Sequence, residues 1–115
     1  VVIADNDPDA LELVHTDLSL EGHEIVGCAG DGEGALDLCR KLHPDVLVVD
    51  YRMPPGPNGV EVARRMHRDM PAVRVVVFTN YDTAEVGRAV RRVGAQLVRK
   101  GELDALRRAV ADGGG

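Results

Sequence analysis

The chain has 115 residues, 44% of them hydrophobic, and a formal net charge of −5. That is one domain's worth of chain with one core, and because Tyr51, Phe78 and Tyr81 are its only aromatics, the core must be aliphatic. No run is long enough to span a bilayer and no charged segment followed by an apolar one marks export, so a cytoplasmic location is expected and membrane association is not.

The hydrophobic period switches regularly along the chain. Residues 1–5 read as a strand and 8–20 as a helix, with Leu11, Val14 and Leu18 on one face and Pro8 in the first turn. Residues 24–29 read as a strand. Residues 33–42 read as a helix burying Ala35, Leu36, Leu38, Cys39 and Leu42, broken by Pro44 and Asp45. A strand at 46–50 is followed by the loop Met53-Pro54-Pro55-Gly56-Pro57-Asn58-Gly59. Then come a helix at 60–68, a strand at 73–79, a helix at 82–93 stopped by Gly94, a strand at 95–99 and a helix at 102–112. Residues 1–112 thus form the domain, and Gly113-Gly114-Gly115 reads as a frayed tail, the start of a linker or a point of truncation.

Five valine-rich strands alternating with five helices predict an α/β fold, a doubly wound parallel sheet with helices on both faces. In such sheets ligands bind beyond the carboxyl ends of the strands. Four polar residues stand there: Asp5, Asp50, Thr79 and Lys100. Two carboxylates, a hydroxyl and an ammonium on one rim suit a metal and a phosphoryl group. Lys100 is one of only 2 lysines against 12 arginines, and a compact ammonium suits a phosphoryl contact better than a guanidinium fork.

Charge is divided along the chain, with a balance of −10 over residues 1–50 and +5 over 51–115. The basic half is too weakly basic to argue for nucleic-acid binding by this domain. Cys28 and Cys39 are unclustered and read as small buried or half-buried hydrophobes in a reducing compartment, forming neither a disulfide nor a zinc site.

The ordered set Asp5, Asp50-Tyr51-Arg52-Met53-Pro54, Gly59, Phe78-Thr79, Gly94-Ala95 and Lys100 resembles the receiver domain of two-component response regulators over essentially the whole chain. The resemblance implies a CheY-like, flavodoxin-like (βα)5 fold of strand order 2-1-3-4-5. It implies that Asp50 accepts a phosphoryl group from a sensor histidine kinase, and that Mg²⁺ is held by Asp5, the next residue Asn6, Asp50 and the backbone carbonyl of Arg52. Lys100 and Thr79 would contact the phosphoryl group. The chain would be no enzyme beyond its own phosphorylation and dephosphorylation. Its 82–112 face, carrying Arg88, Arg91, Arg92, Arg99, Arg107 and Arg108, would mediate homodimerisation or contact an output domain.

The pattern departs from the family in places. Receivers usually carry two adjacent acids after the first strand, and here the second is Asn6, which offers a carbonyl oxygen but one charge fewer. Asp7 could compensate, although it precedes Pro8 as a helix N-cap would. The stretch from Asp50 to Gly59 is about one residue longer than usual and that from Gly94 to Lys100 about one shorter. Leu97 or a neighbour replaces an aromatic near the last strand. Gly101 follows Lys100 where many receivers have a cis proline, which looks like the subfamily of transcription factors with a helix-turn-helix, DNA-binding output domain. A second reading is a pseudo-receiver that Asn6 has disabled for phosphorylation. A third, from another class, is a dinucleotide-binding enzyme fragment, because Gly30-Asp31-Gly32-Glu33-Gly34-Ala35 fits G-x-G-x-x-A with Asp50 twenty residues on. Asp31 and Glu33 would repel a pyrophosphate, and that reading leaves Asp5, Thr79 and Lys100 without roles.

Overall fold

The structure, a computed structural model, describes residues 1–113. In chain order the elements are β1 (Val2–Ala4), α1 (Pro8–Leu20), β2 (Gly27–Ala29), α2 (Gly32–Leu42), β3 (Val46–Val49), α3 (Gly59–Asp69), β4 (Arg74–Thr79), α4 (Ala84–Arg92), β5 (Gln96–Arg99) and α5 (Leu103–Gly113). The strands form one parallel sheet in the order β2-β1-β3-β4-β5, as the resemblance implies. No helix of the described residues is long and apolar enough to cross a membrane.

The apolar runs are continuous because both faces of the sheet are covered, and the strand period of two sorts their residues. Val2, Ala4, Leu47, Val49, Val75 and Val77 pack against Ala35, Leu36 and Cys39 of α2 and Val62, Ala63 and Met66 of α3. Ile3, Val46, Val48, Val76, Phe78 and Val98 pack on the opposite face against Val14 and Leu18 of α1 and Leu106, Ala109 and Val110 of α5. α1 and α5 are also tied by a charge pair. Arg107 Nε donates to the buried carboxylate of Asp17 at 3.1 Å, and the same guanidinium reaches Asp104 at 3.0 Å.

Helix starts are set by side-chain caps that satisfy free N–H groups. Asp7 accepts from Asp9 N–H, Asp31 from Gly34 N–H, Asn58 from Glu61 N–H and Thr83 from Val86 N–H. Asp7 is therefore the cap of α1, and Thr83 starts α4 at Ala84 rather than 82. β2 begins at Gly27, not 24, and its Cys28 is exposed, not buried or half-buried as expected. The reason is position. Cys28 lies beside Ile3 on the face covered by α1 and α5, but on the edge strand, where that cover ends. Leu42, expected inward, ends α2 as an exposed residue with 44% of its surface accessible. Gly113 lies within α5 rather than in a frayed tail, and Gly114 and Gly115 lie outside the described residues.

Candidate functional site

Register alone brings the strand-end residues together. Ala4 pairs with Val49 and Thr79 with Arg99, so Asp5, Asp50 and Lys100 each leave the sheet one residue beyond a paired position. Their main chains continue the ladder: Asp5 N–H donates to Ala29 O, Asp50 N–H to Ala4 O, and Lys100 N–H to Thr79 O, each at 3.0 Å. The carboxylates are therefore held by the sheet and not by a mobile loop.

Lys100 Nζ sits between them, 2.7 Å from Asp5 Oδ2 and 3.2 Å from Asp50 Oδ2. Asp5 and Asp50 are 5% and 8% exposed, so their charges need this cation. Burial pushes the ammonium down, but the hydrogen bond to Asp5 and the charges of Asp50 and Asp5 outweigh it, and the Lys100 pKa is raised above its ordinary value. The second oxygen of each acid is also engaged. Asp5 Oδ1 accepts from Asp7 N–H at 2.9 Å, and Asp50 Oδ1 from Tyr51 N–H at 2.7 Å. Gly59 is required beside them, because a Cβ there would overlap the main-chain oxygen of Asp50. That backbone cannot yield without moving the acid.

A solvent-open depression of about 290 Å³ lies over this cluster, lined by Asp5, Asn6, Asp50, Arg52, Tyr81 and Lys100 among others. Asn6 is exposed at its rim. Thr79 is not brought into it. That residue is fully buried, and its Oγ1 accepts from Tyr81 N–H at 3.2 Å. Sequence reasoning missed two side chains here. Arg52 Nη1 donates to the Tyr81 hydroxyl at 2.8 Å, and Tyr81 itself faces the depression. The presence of two of the chain's three aromatics beside the site, Tyr51 and Tyr81, was the available signal.

Among the described residues no three His, Cys, Asp or Glu side chains converge. The two carboxylates, with the exposed Asn6 at the rim beside them, offer a sparse set of hard oxygen atoms. Such a set would suit Mg²⁺, which keeps much of its water and needs few protein ligands.

The glycine-rich segment 30–35 does not form a phosphate cradle. Asp31 already occupies the α2 amino terminus, accepting from Gly34 N–H at 2.7 Å. A Cβ on Gly32 would meet Pro57 O at 2.6 Å, so this glycine serves the packing of the β3–α3 loop.

With this geometry in view, comparison with known proteins is decisive. The response regulator receiver domain family matches residues 1–111. The chain belongs to that family. This receiver domain is 36% identical over 113 residues to the transcriptional regulatory protein DegU of Brevibacillus brevis, covering 96% of this chain and 48% of DegU. It is 38% identical over 79 residues to the response regulator GacA of Pseudomonas aeruginosa, covering 69% of this chain and 36% of GacA. The chain thus spans less than half the length of these curated relatives. Among solved structures, the signal receiver domain of the response regulator NarL from Mycobacterium tuberculosis superposes with a TM-score of 0.91 at 32% identity, covering 99% of this receiver domain and 94% of that chain.

Proposed function

We propose that this receiver domain is phosphorylated on Asp50 by a sensor histidine kinase in the cytoplasm, with Mg²⁺ bound, and controls a DNA-binding output domain. The observation that carries this is the sharing of one ammonium: Lys100 holds Asp5 at 2.7 Å and Asp50 at 3.2 Å beneath an open depression. A carboxylate oxygen of Asp50 attacks phosphorus, the bond to the donor breaks, and the leaving group takes the electron pair. Asp5, Asp50, Asn6 and the Arg52 carbonyl would hold Mg²⁺, which would supply charge neutralisation for the two approaching anions. Lys100 turns from Asp50 to the phosphoryl oxygens, and Thr79 donates its hydroxyl to one of them. The likeness to DegU, named as a transcriptional regulator, supports a transcriptional output.

The signal would leave through the 82–112 face, by dimerisation or contact with the output domain. Two of the arginines expected on it are already committed. Arg107 holds Asp17 on α1, and Arg99 Nε donates to Asp82 at 2.6 Å. The free basic surface is therefore Arg88, Arg91, Arg92 and Arg108, all exposed.

Intact-mass spectrometry after incubation with a small phosphodonor and Mg²⁺ tests the reading. One added phosphoryl group on the parent and none on Asp50→Asn is the expected result. Its absence from the folded parent would favour the pseudo-receiver, a reading that the exposed Asn6 in place of an acid supports. Asn6→Asp would then be expected to restore phosphorylation and to tighten Mg²⁺ binding about tenfold.

A further inference from the structure

Tyr81 stands where two restraints meet. Its main-chain N–H donates to Thr79 Oγ1 at 3.2 Å, and its hydroxyl accepts from Arg52 Nη1 at 2.8 Å. The guanidinium carbon of Arg52 also lies 5.6 Å from the Tyr81 ring centroid, within cation–π range, and the Tyr51 ring packs 6.0 Å away. Arg52 follows β3 and Tyr81 follows β4, so the contact closes across two adjacent loops. Both residues line the depression above Asp50, whereas Thr79 does not.

We propose that the Arg52–Tyr81 contact is a clasp that holds Thr79 out of the site in the resting state, and that it must open before the Thr79 hydroxyl reaches a phosphoryl group. This rests on the reading of Asp50 as phosphoacceptor. Moving the hydroxyl into the depression gives up its bond from Tyr81 N–H. The main chain at 81 then follows, and the ring is drawn away from Arg52. The arriving group supplies the reason to open. It brings about −2 charge beside Arg52, and a guanidinium binds an anion more strongly than a neutral phenol. A ligand shifts a two-state element only by such a difference. The last strand offers no aromatic to play this part, because the half-buried residue there is Leu97.

Tyr81→Phe tests the clasp, since it keeps every charge and the ring and removes only the acceptor. Two readouts on the 115-residue chain separate the ideas. Without ligand, hydrogen exchange of the amide at position 81 is expected to be about three- to tenfold faster in Tyr81→Phe, the factor for one exposed charge-assisted hydrogen bond, and Arg52→Ala should reproduce it. Unchanged protection in both variants overturns the proposal. With Mg²⁺ and beryllofluoride, titration calorimetry should give about three- to tenfold tighter binding to Tyr81→Phe than to the parent, and equal or weaker binding overturns the proposal. A parent that binds no beryllofluoride sinks the phosphoacceptor reading instead, while the exchange readout still decides the clasp.

Discussion

Lys100 lies between two nearly buried carboxylates at the end of one sheet and balances their charge. Its raised pKa means the folded state holds this proton more tightly than the unfolded chain does. The stabilisation is therefore full below the ordinary lysine pKa and is lost as pH rises through the higher folded value. Lys100→Gln is expected to lower stability by about 1–2 kcal/mol at neutral pH, and urea unfolding against pH should show the gap to the parent closing at strongly alkaline pH. Gly59 is as stringent for a steric reason. Gly59→Ala drives a Cβ into the Asp50 backbone and is expected to cost about 1–3 kcal/mol and to slow phosphorylation, both measurable on one preparation. At this scale Asp5, Asp50 and Lys100 were legible in the sequence because each ends an apolar run, and parallel register then aligns them. Thr79 had the same signal, yet it lies buried outside the depression. Whether a strand-end hydroxyl faces the ligand depends on the loop after it, and no periodicity encodes that loop.

Elements were legible for a similar reason. The helices were found by their apolar spacing, and their starts by caps such as Asp7 before Pro8. Where expectation slipped, the cause was local: Thr83 caps α4 so that it starts two residues later than its apolar pattern suggests, and β2 has only the three residues that pair with the three-residue β1. The α1–α5 contact shows which forces dominate between elements. Leu18 is fully buried at it, while the nearby Asp17 is held by a guanidinium that remains half-exposed. Solvent screens such a pair, whereas a lost core side chain leaves a cavity. Leu18→Ala is expected to cost about 2–5 kcal/mol and Asp17→Asn clearly less, an order that equilibrium urea unfolding of the two variants would check.

For the whole molecule, strand order converts the division of charge along the chain into a division across the sheet. β2, β1 and β3 with α1 and α2 carry the acidic half, while α3, β4 and β5 with α4 and α5 carry the basic half. The two site acids belong to the acidic side and the ammonium to the basic side. A Mg²⁺ bound where the fold brings the two acids together, and not by the unfolded chain, should stabilise the entire fold. Millimolar Mg²⁺ is expected to raise the thermal midpoint by about 3–8 °C, and scanning calorimetry of Asp5→Asn should show that increment lost.

Lys100 reaches the site from the end of β5, an edge strand paired only with β4 and half open to water along its length. The chain must close a loop of nearly its whole length before Lys100 meets Asp5, and contacts so distant in sequence are slow to form. Any species in which β5 has not docked presents two facing carboxylates with no cation between them. Its own charge then repels an incoming phosphate. With Asp50 as the proposed phosphoacceptor, a half-folded chain would thereby be an unreceptive one, and competence to carry a signal would coincide with the last strand taking its place.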